Sequence, residues 1–305
     1  MKRATNIPAS IRQRLLNHAR QTGVDFQRIL VRYAVERLLY RLSLHEHHDR
    51  FCLKGAMLFL VWPIASPRPT GDLDLLGRGS SDSEQMRALF AEICAIEDVS
   101  DGLSFDNASF RVDTLREEEE YEGLRIHVNA TLAGARIPLQ IDVGFGDRVH
   151  PEPRAIDFPC ILPDLKSPHI LAYPKETVVA EKFEAMIRYA EAISRVKDLH
   201  DIRMISQTFE FEKTTLTEAI AGTLRRRRTD FPTETPYALS PPFASDPQKV
   251  QLWEAFLRRS APADEGLPLG AVVDDLRRFL GPVMIHLPRP DRALGTWTPL
   301  TGWSA

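Results

Sequence analysis

Arg68-Pro69-Thr70-Gly71-Asp72-Leu73-Asp74-Leu75 sets two carboxylates two residues apart in a run that turns apolar. In a strand, residues i and i+2 share one face, so Asp72 and Asp74 are expected to project together from a sheet. Two like charges that close are unfavourable unless a positive charge sits between them. Mg²⁺ suits the pair, because it prefers oxygen ligands and is held by one or two carboxylates plus substrate phosphates. The stretch therefore points to metal-assisted phosphoryl or nucleotidyl chemistry. An Asp-x-Asp pair also occurs in ordinary surface turns, so the reading depends on what the rest of the chain supplies.

Upstream, residues 8–44 read as two helices separated by Gly23, the second with Phe26, Ile29, Leu30, Tyr33, Ala34, Arg37 and Leu38 on one face. Phe51 to Ala56 reads as a short strand ending at a glycine and followed by a helical turn. Downstream, Leu73 to Leu76 is a strand and residues 82–98 an amphipathic helix. Phe105–Thr114, Leu124–Leu132 and Ile137–Phe145 are further strands, with a solvated acidic turn at Glu117 to Glu120. Prolines 151, 153, 159, 163, 168 and 174 mark a loop-rich connection. Helices are expected at 176–192, 196–208, 214–228, 246–258 and 268–285. Strands early and helices late make the class α+β, a small mixed sheet flanked by helices with a mostly helical C-terminal part. The expected division is 1–170, 171–290 and an irregular tail 291–305.

The composition, 43% apolar and 27% charged, is that of an ordinary globular protein, and the formal net charge of −3 gives no overall attraction to nucleic acid. Any such partner must be met by local cations; Arg68, Lys182, Arg195, Lys197 and Arg225 to Arg228 are the candidates. Cys52, Cys94 and Cys160 form neither a zinc spacing nor a disulfide framework. His45, His47 and His48 lie in a polar turn with no further ligand at metal-binding spacing. Met1-Lys2-Arg3 leads into polar sequence rather than a secretory h-region. No run reaches the ~18 apolar residues of a membrane helix. A cytoplasmic location without membrane contact is expected.

Four further elements could carry chemistry. Lys54-Gly55-Ala56 sits where a strand turns into a helix, and backbone N–H groups there suit phosphate oxygens; a plain strand–helix turn is the alternative. Asp142 lies in the apolar strand Ile137 to Phe145, where an unpaired carboxylate is costly. It is either a third metal carboxylate and base toward an attacking hydroxyl, or half of a structural ion pair. Lys182, in Ala180-Glu181-Lys182-Phe183, flanks the buried side of a helix and could neutralise a triphosphate as a point charge. Asp198 and Asp201 share one helix face, and for Asp198 capping and the helix dipole are an alternative.

In this order and spacing, Leu53-Lys54-Gly55-Ala56, Arg68-x-Thr70-x-Asp72-x-Asp74, Ile141-Asp142-Val143, Ala180-Glu181-Lys182 and Lys197-Asp198-x-x-Asp201 resemble the AbiEii/AbiGii-type (MenA-like) nucleotidyltransferase toxins of the polymerase-beta-like superfamily. The resemblance spans roughly residues 25–285. It implies Mg²⁺, or alternatively Mn²⁺, held by Asp72, Asp74 and Asp142. It implies catalytic roles for these three with Lys182 and Asp201, and nucleotide binding by Lys54, Gly55, Ala56, Arg68, Thr70, Lys182 and Asp198. The implied activity moves a nucleoside monophosphate from an NTP to an RNA acceptor, in some members a tRNA 3′ end. The implied partner is a separately encoded antitoxin. Where the family has Gly-Gly or Gly-Ser, this chain has Gly55-Ala56, which keeps the backbone N–H but removes any hydroxyl contact. A catalytically inactive nucleotide- or protein-binding module, and a small-molecule nucleotidyltransferase, are the alternatives. A degenerate module is expected to have lost Asp72, Asp74 or Lys182, and all three are present.

Overall fold

The computed structural model describes residues 6–64, 70–98, 100–117, 121–189 and 195–304. The loop 65–69 with Arg68, most of the acidic turn at 118–120, and the end of the helix expected to reach 192 lie outside them. The α+β class is observed, and the chain divides into two units.

The first unit comprises Met1–Val61, Pro69–Gly146 and Arg154–Ala172. Its centre is a mixed sheet of β1 (Phe51–Lys54), β2 (Leu73–Gly77), β3 (Leu103–Glu117), β4 (Tyr121–Leu132), β5 (Ala135–Phe145), β6 (Arg154–Asp157) and β7 (His169–Ala172), in the order β3-β4-β5-β2-β1-β7-β6. The β2–β5 and β1–β7 pairs are parallel and the others antiparallel. Helices α1 (Ile7–Thr22), α2 (Phe26–Leu44) and α3 (Ser83–Ala95) are capped by Asn6, Asp25 and Asp82. Helix α2 lies against β5 and β7, and α3 against β3. Period-two alternation then separates the faces. Ile137, Leu139, Ile141 and Val143 of β5 are buried, whereas Pro138, Gln140, Asp142 and Gly144 are not. β4 alternates likewise, with Leu124, Ile126 and Val128 buried and Arg125, His127 and Asn129 half-buried. Over β4 and β5 one face thus holds the core and the other presents polar side chains, whereas β1 and the end of β2 are buried on both faces.

Helix α2 carries more than its apolar stripe. Arg41 bonds the Asp101 carboxylate at 2.6 Å with both side chains buried, Arg37 donates to the Lys166 carbonyl at 2.6 Å, and Glu36 accepts from the Ile161 N–H at 2.9 Å. These bonds pin two loops to the helix. The Arg37 and Glu36 bonds also satisfy backbone groups that burial would otherwise leave unpaired.

The second unit comprises Trp62–Arg68, Asp147–Pro153 and Tyr173–Ala305. It contains α4 (Lys175–Tyr189), α5 (Val196–Thr208), α6 (Lys213–Arg226), α7 (Pro241–Ser245), α8 (Pro247–Ser260) and α9 (Leu269–Met284). β8 (Phe211–Glu212), β9 (Thr296–Thr298) and β10 (Gly302–Trp303) form a small sheet in the order β10-β9-β8. The tail expected to be irregular is therefore structured. Trp297 donates from Nε1 to the Ser206 carbonyl at 2.7 Å and Trp303 to that of Phe279 at 2.8 Å. Phe279 and the two indoles form a three-ring cluster, with Phe279 4.9 Å from the Trp297 ring and stacked at 6.0 Å on that of Trp303, and the indoles 5.7 Å apart. Indoles that bury their bodies and place their N–H on a carbonyl anchor a segment that has no periodicity of its own. No described helix is long and apolar enough to cross a membrane.

Candidate active site

In the first unit, strand register builds a row of charge across the polar face. Lys54 on β1 pairs with Asp74 on β2, Asp74 with Asp142 on β5, Asp142 with Arg125 on β4, and Arg125 with Asp113 on β3. The sign runs plus, minus, minus, plus, minus. Neighbouring strands lie about 4.8 Å apart, so Asp74 and Asp142 are like charges in adjacent places, flanked by a cation on either side. Asp72, exposed and one residue before β2, adds a further carboxylate. Arg125 feels the whole group. Its guanidinium is held more firmly protonated than usual, first by its hydrogen bonds to Asp142 and then by the charges of Asp142, Asp72 and Asp74, against the opposing effect of partial burial.

Asp74 and Gly55 explain each other. Gly55 has φ +71°, and a Cβ built on it would lie 2.0 Å from Oδ2 and 2.7 Å from Cγ of Asp74. Only glycine fits that conformation and that approach. The segment after it differs from expectation. Gly55–Leu60 is a 3₁₀ turn of six residues, not an α-helix, so the N–H groups after Lys54 lack a full helix dipole. Ala56 is buried and Thr70 half-exposed.

Asp142 is where the two sequence alternatives are weighed. Arg125 grips both of its oxygens, Nε to Oδ1 at 2.8 Å and Nη2 to Oδ2 at 2.7 Å, and Gln140 Nε2 lies 3.3 and 3.4 Å from the same oxygens. In place of an open third carboxylate there is a bidentate ion pair. Among the described residues no group of three or more His, Cys, Asp or Glu is arranged to hold a metal ion. Sequence reading missed Arg125, although a signal existed. A two-residue turn at Ala133-Gly134 joins β4 and β5, and Leu132 pairs with Ala135 across it. Such turns set hairpin register; seven positions back along each strand, Arg125 faces Asp142.

In the second unit, Lys182 of α4 reaches two carboxylates of α5, Asp198 Oδ1 at 2.7 Å and Asp201 Oδ2 at 2.7 Å. Both aspartates are wholly buried and Lys182 nearly so. Asp198 therefore neutralises Lys182, with Arg195 Nε 2.9 Å from its other oxygen. A further residue joins them that no motif flagged. His200, buried against Trp253 and Phe256, contacts Asp264 Oδ2 through Nε2 at 2.9 Å and lies 3.9 Å through Nδ1 from Asp201 Oδ1.

In the Arg225 to Arg228 run, Arg225, Arg226 and Arg228 are exposed and Arg227 is turned inward. Arg227 is packed among Asp147 at 3.0 Å, Glu184 at 2.9 Å and Glu181 at 3.6 Å. Burial pulls its pKa down, but the charges of Glu181, Asp147 and Glu184 outweigh burial and raise it. Arg225 lies over the Phe231 ring.

With this geometry in place, comparison with known proteins identifies the class. Residues 37–280 match the family described as nucleotidyl transferase AbiEii toxin, type IV TA system, and the chain belongs to that family. Among solved structures it is similar to JHP933 from Helicobacter pylori, with 13% identity and a TM-score of 0.47, covering 84% of this chain and 91% of that one. It is likewise similar to an H. pylori protein described as a candidate nucleotidyltransferase, with 12% identity and a TM-score of 0.47, covering 83% and 93%. No curated protein matches the sequence.

Proposed function

We propose that this protein transfers a nucleoside monophosphate from an NTP to a hydroxyl of RNA, such as a tRNA 3′ end, and that it is the toxin of a pair neutralised by a separate antitoxin. The observation that carries the reading is the charge row. It places Asp74 beside Asp142, adds Asp72, and sets a cation at each flank.

Asp72 and Asp74 fit a hard divalent cation that keeps several waters and takes its remaining ligands from substrate phosphates. Bound there, Mg²⁺ or Mn²⁺ would supply positive charge at the α-phosphate and at the departing pyrophosphate. The chain's own part is positioning and charge. Lys54 stands on the β1 side of Asp74 and brings a positive charge suited to phosphate oxygens. Gly55, lacking a Cβ, lets Asp74 approach that turn. The acceptor oxygen bonds to the α-phosphorus, the bond from that phosphorus to the bridging oxygen breaks, pyrophosphate leaves with the electron pair, and the hydroxyl proton is given up to solvent. Phosphoryl transfer of this kind depends mainly on alignment and electrostatics. From its place in the family motif, Lys182 is read as a contact to a nucleotide phosphate. Asp198 and Asp201 hold its ammonium in place.

The test is incubation of the purified protein with each labelled NTP, Mg²⁺ and total RNA, beside Asp72→Ala. Label on RNA with wild type and none with the variant is the expected result. Absence of transfer with every NTP rejects the enzyme in favour of a binding module. Growth arrest that survives Asp72→Ala rejects a toxin acting through this site.

A further inference from the structure

Arg125 spends only part of its capacity. Its bonds to Asp142 use Nε and Nη2; among the described residues Nη1 makes no hydrogen bond, and the side chain is 36% exposed. Asp142 is more committed, held by Arg125 on both oxygens and approached by Gln140. A carboxylate so engaged is built to aim a guanidinium rather than to receive a cation. Across the row, Lys54 and Gly55 lie on the β1 side of the two aspartates and Arg125 on the β4 side. Attacking and leaving oxygens lie roughly in line across the transferred phosphorus. If the triphosphate takes the Lys54 side, the acceptor arrives from the side of Arg125. A planar guanidinium with donors to spare matches a phosphate diester there better than any point charge. Near it, Asp113 pairs across to Arg125, and His127 lies 3.7 Å from Asp113. Arg125 is therefore the cation that offsets this carboxylate-rich end for an anionic acceptor.

We propose that Arg125 binds a phosphate of the RNA acceptor beside the attacking hydroxyl, and that Asp142, backed by Gln140, is its positioning residue rather than a third metal ligand. This rests on the transferase reading above. The experiment compares wild type, Arg125→Ala, Arg125→Lys and Asp142→Asn, with thermal melts to confirm folding. Three affinities are measured: Mn²⁺ alone by electron paramagnetic resonance, a non-hydrolysable NTP by calorimetry, and unfractionated tRNA by fluorescence anisotropy.

Arg125→Ala should weaken tRNA binding by roughly 10- to 100-fold, the worth of a hydrogen bond to a charged group, and leave NTP affinity unchanged, with Mn²⁺ bound as in wild type or slightly tighter because a cation is removed from the row beside Asp74. Arg125→Lys should recover part of the loss. Asp142→Asn should weaken tRNA in the same direction without touching Mn²⁺, and the double variant Arg125→Ala/Asp142→Asn should be no worse than Arg125→Ala. Loss of Mn²⁺ binding in Asp142→Asn, with markedly tighter Mn²⁺ binding in Arg125→Ala, overturns the proposal and makes Asp142 a ligand with Arg125 as its resting counter-ion. A shift in NTP affinity in place of tRNA affinity also overturns it. A wild type that binds neither Mn²⁺ nor NTP removes the transferase reading itself, a different failure from a wild type that binds both while Arg125→Ala is silent toward tRNA.

Discussion

At Gly55 two constraints coincide. The residue has φ +71°, where a side chain is strained, and the space beside its Cα is already filled by the Asp74 carboxylate. Gly55→Ala must either displace Asp74 or shift the backbone of the turn. The backbone conformation alone costs about 1–3 kcal/mol in a non-glycine residue, and the overlap with Asp74 comes on top of it. The expected outcome is a lower melting temperature together with loss of Mn²⁺ affinity. A variant that melts lower but binds Mn²⁺ as wild type does would mean that Asp74 does not hold the cation. Glu36 on α2 makes a separate residue-scale case. Burial pushes its carboxyl pKa up, outweighing the lowering effects of the Ile161 N–H, Arg37, Cys160 and Arg32. A carboxyl whose folded pKa lies above its unfolded value favours the fold fully only below the unfolded value of about 4.3. That contribution is lost as pH rises through the folded pKa. Glu36→Gln keeps an oxygen for the Ile161 N–H and never ionises. It should therefore raise the melting temperature at pH 8 and give no advantage at pH 4. Parallel melts of both proteins across that range decide it; equal differences at both ends would remove burial of the charge as the cause.

Helices and strands were legible where a local period carried the information. The amphipathic stripes announced α3, α6, α8 and α9 within a few residues, and the alternation of β5 separated Asp142 from Ile141 and Val143. The small sheet of β8, β9 and β10 was not legible, because Trp297 and Trp303 are anchored on carbonyls of α5 and α9 far away in sequence. The Asp74–Asp142 adjacency was half legible: the motif supplied the residues, but only parallel β2–β5 register made them neighbours. The Arg225 to Arg228 run shows the limit of reading charge without packing. Arg227 at the end of α6 fastens α4 through Glu184 and Glu181, and Arg188 donates to the Arg227 carbonyl at 2.8 Å. Removing one partner of a buried pair leaves the others as uncompensated charge, at a cost of about 3–5 kcal/mol. Arg227→Ala should accordingly lose stability of that order in chemical denaturation, and Arg227→Lys should recover little, since a point charge cannot serve Asp147 and Glu184 together. A loss under about 1 kcal/mol, the usual value of an exposed pair, would show that the network is solvated in solution.

Over the whole chain, charge sets how an RNA could be held. The formal net charge is −3, so the long-range field does not draw in a polyanion, and affinity must come from a few placed cations. The packing of Arg227 removes one residue from the cationic candidates in the sequence, and Lys182 is already shared between Asp198 and Asp201. Each phosphate neutralised on a single strand contributes about −0.7 to the slope of log K against log salt. Two to four contacts, Arg125 among them, then give a slope of roughly −1.5 to −3. The measurement is tRNA binding by anisotropy between about 50 and 200 mM salt, the range over which such slopes are read. Arg125→Ala should make the slope shallower by roughly 0.7. A wild-type slope steeper than about −6 would require eight or more phosphate contacts. That would place RNA on an extended basic surface and reject recognition by a few cations around the charge row.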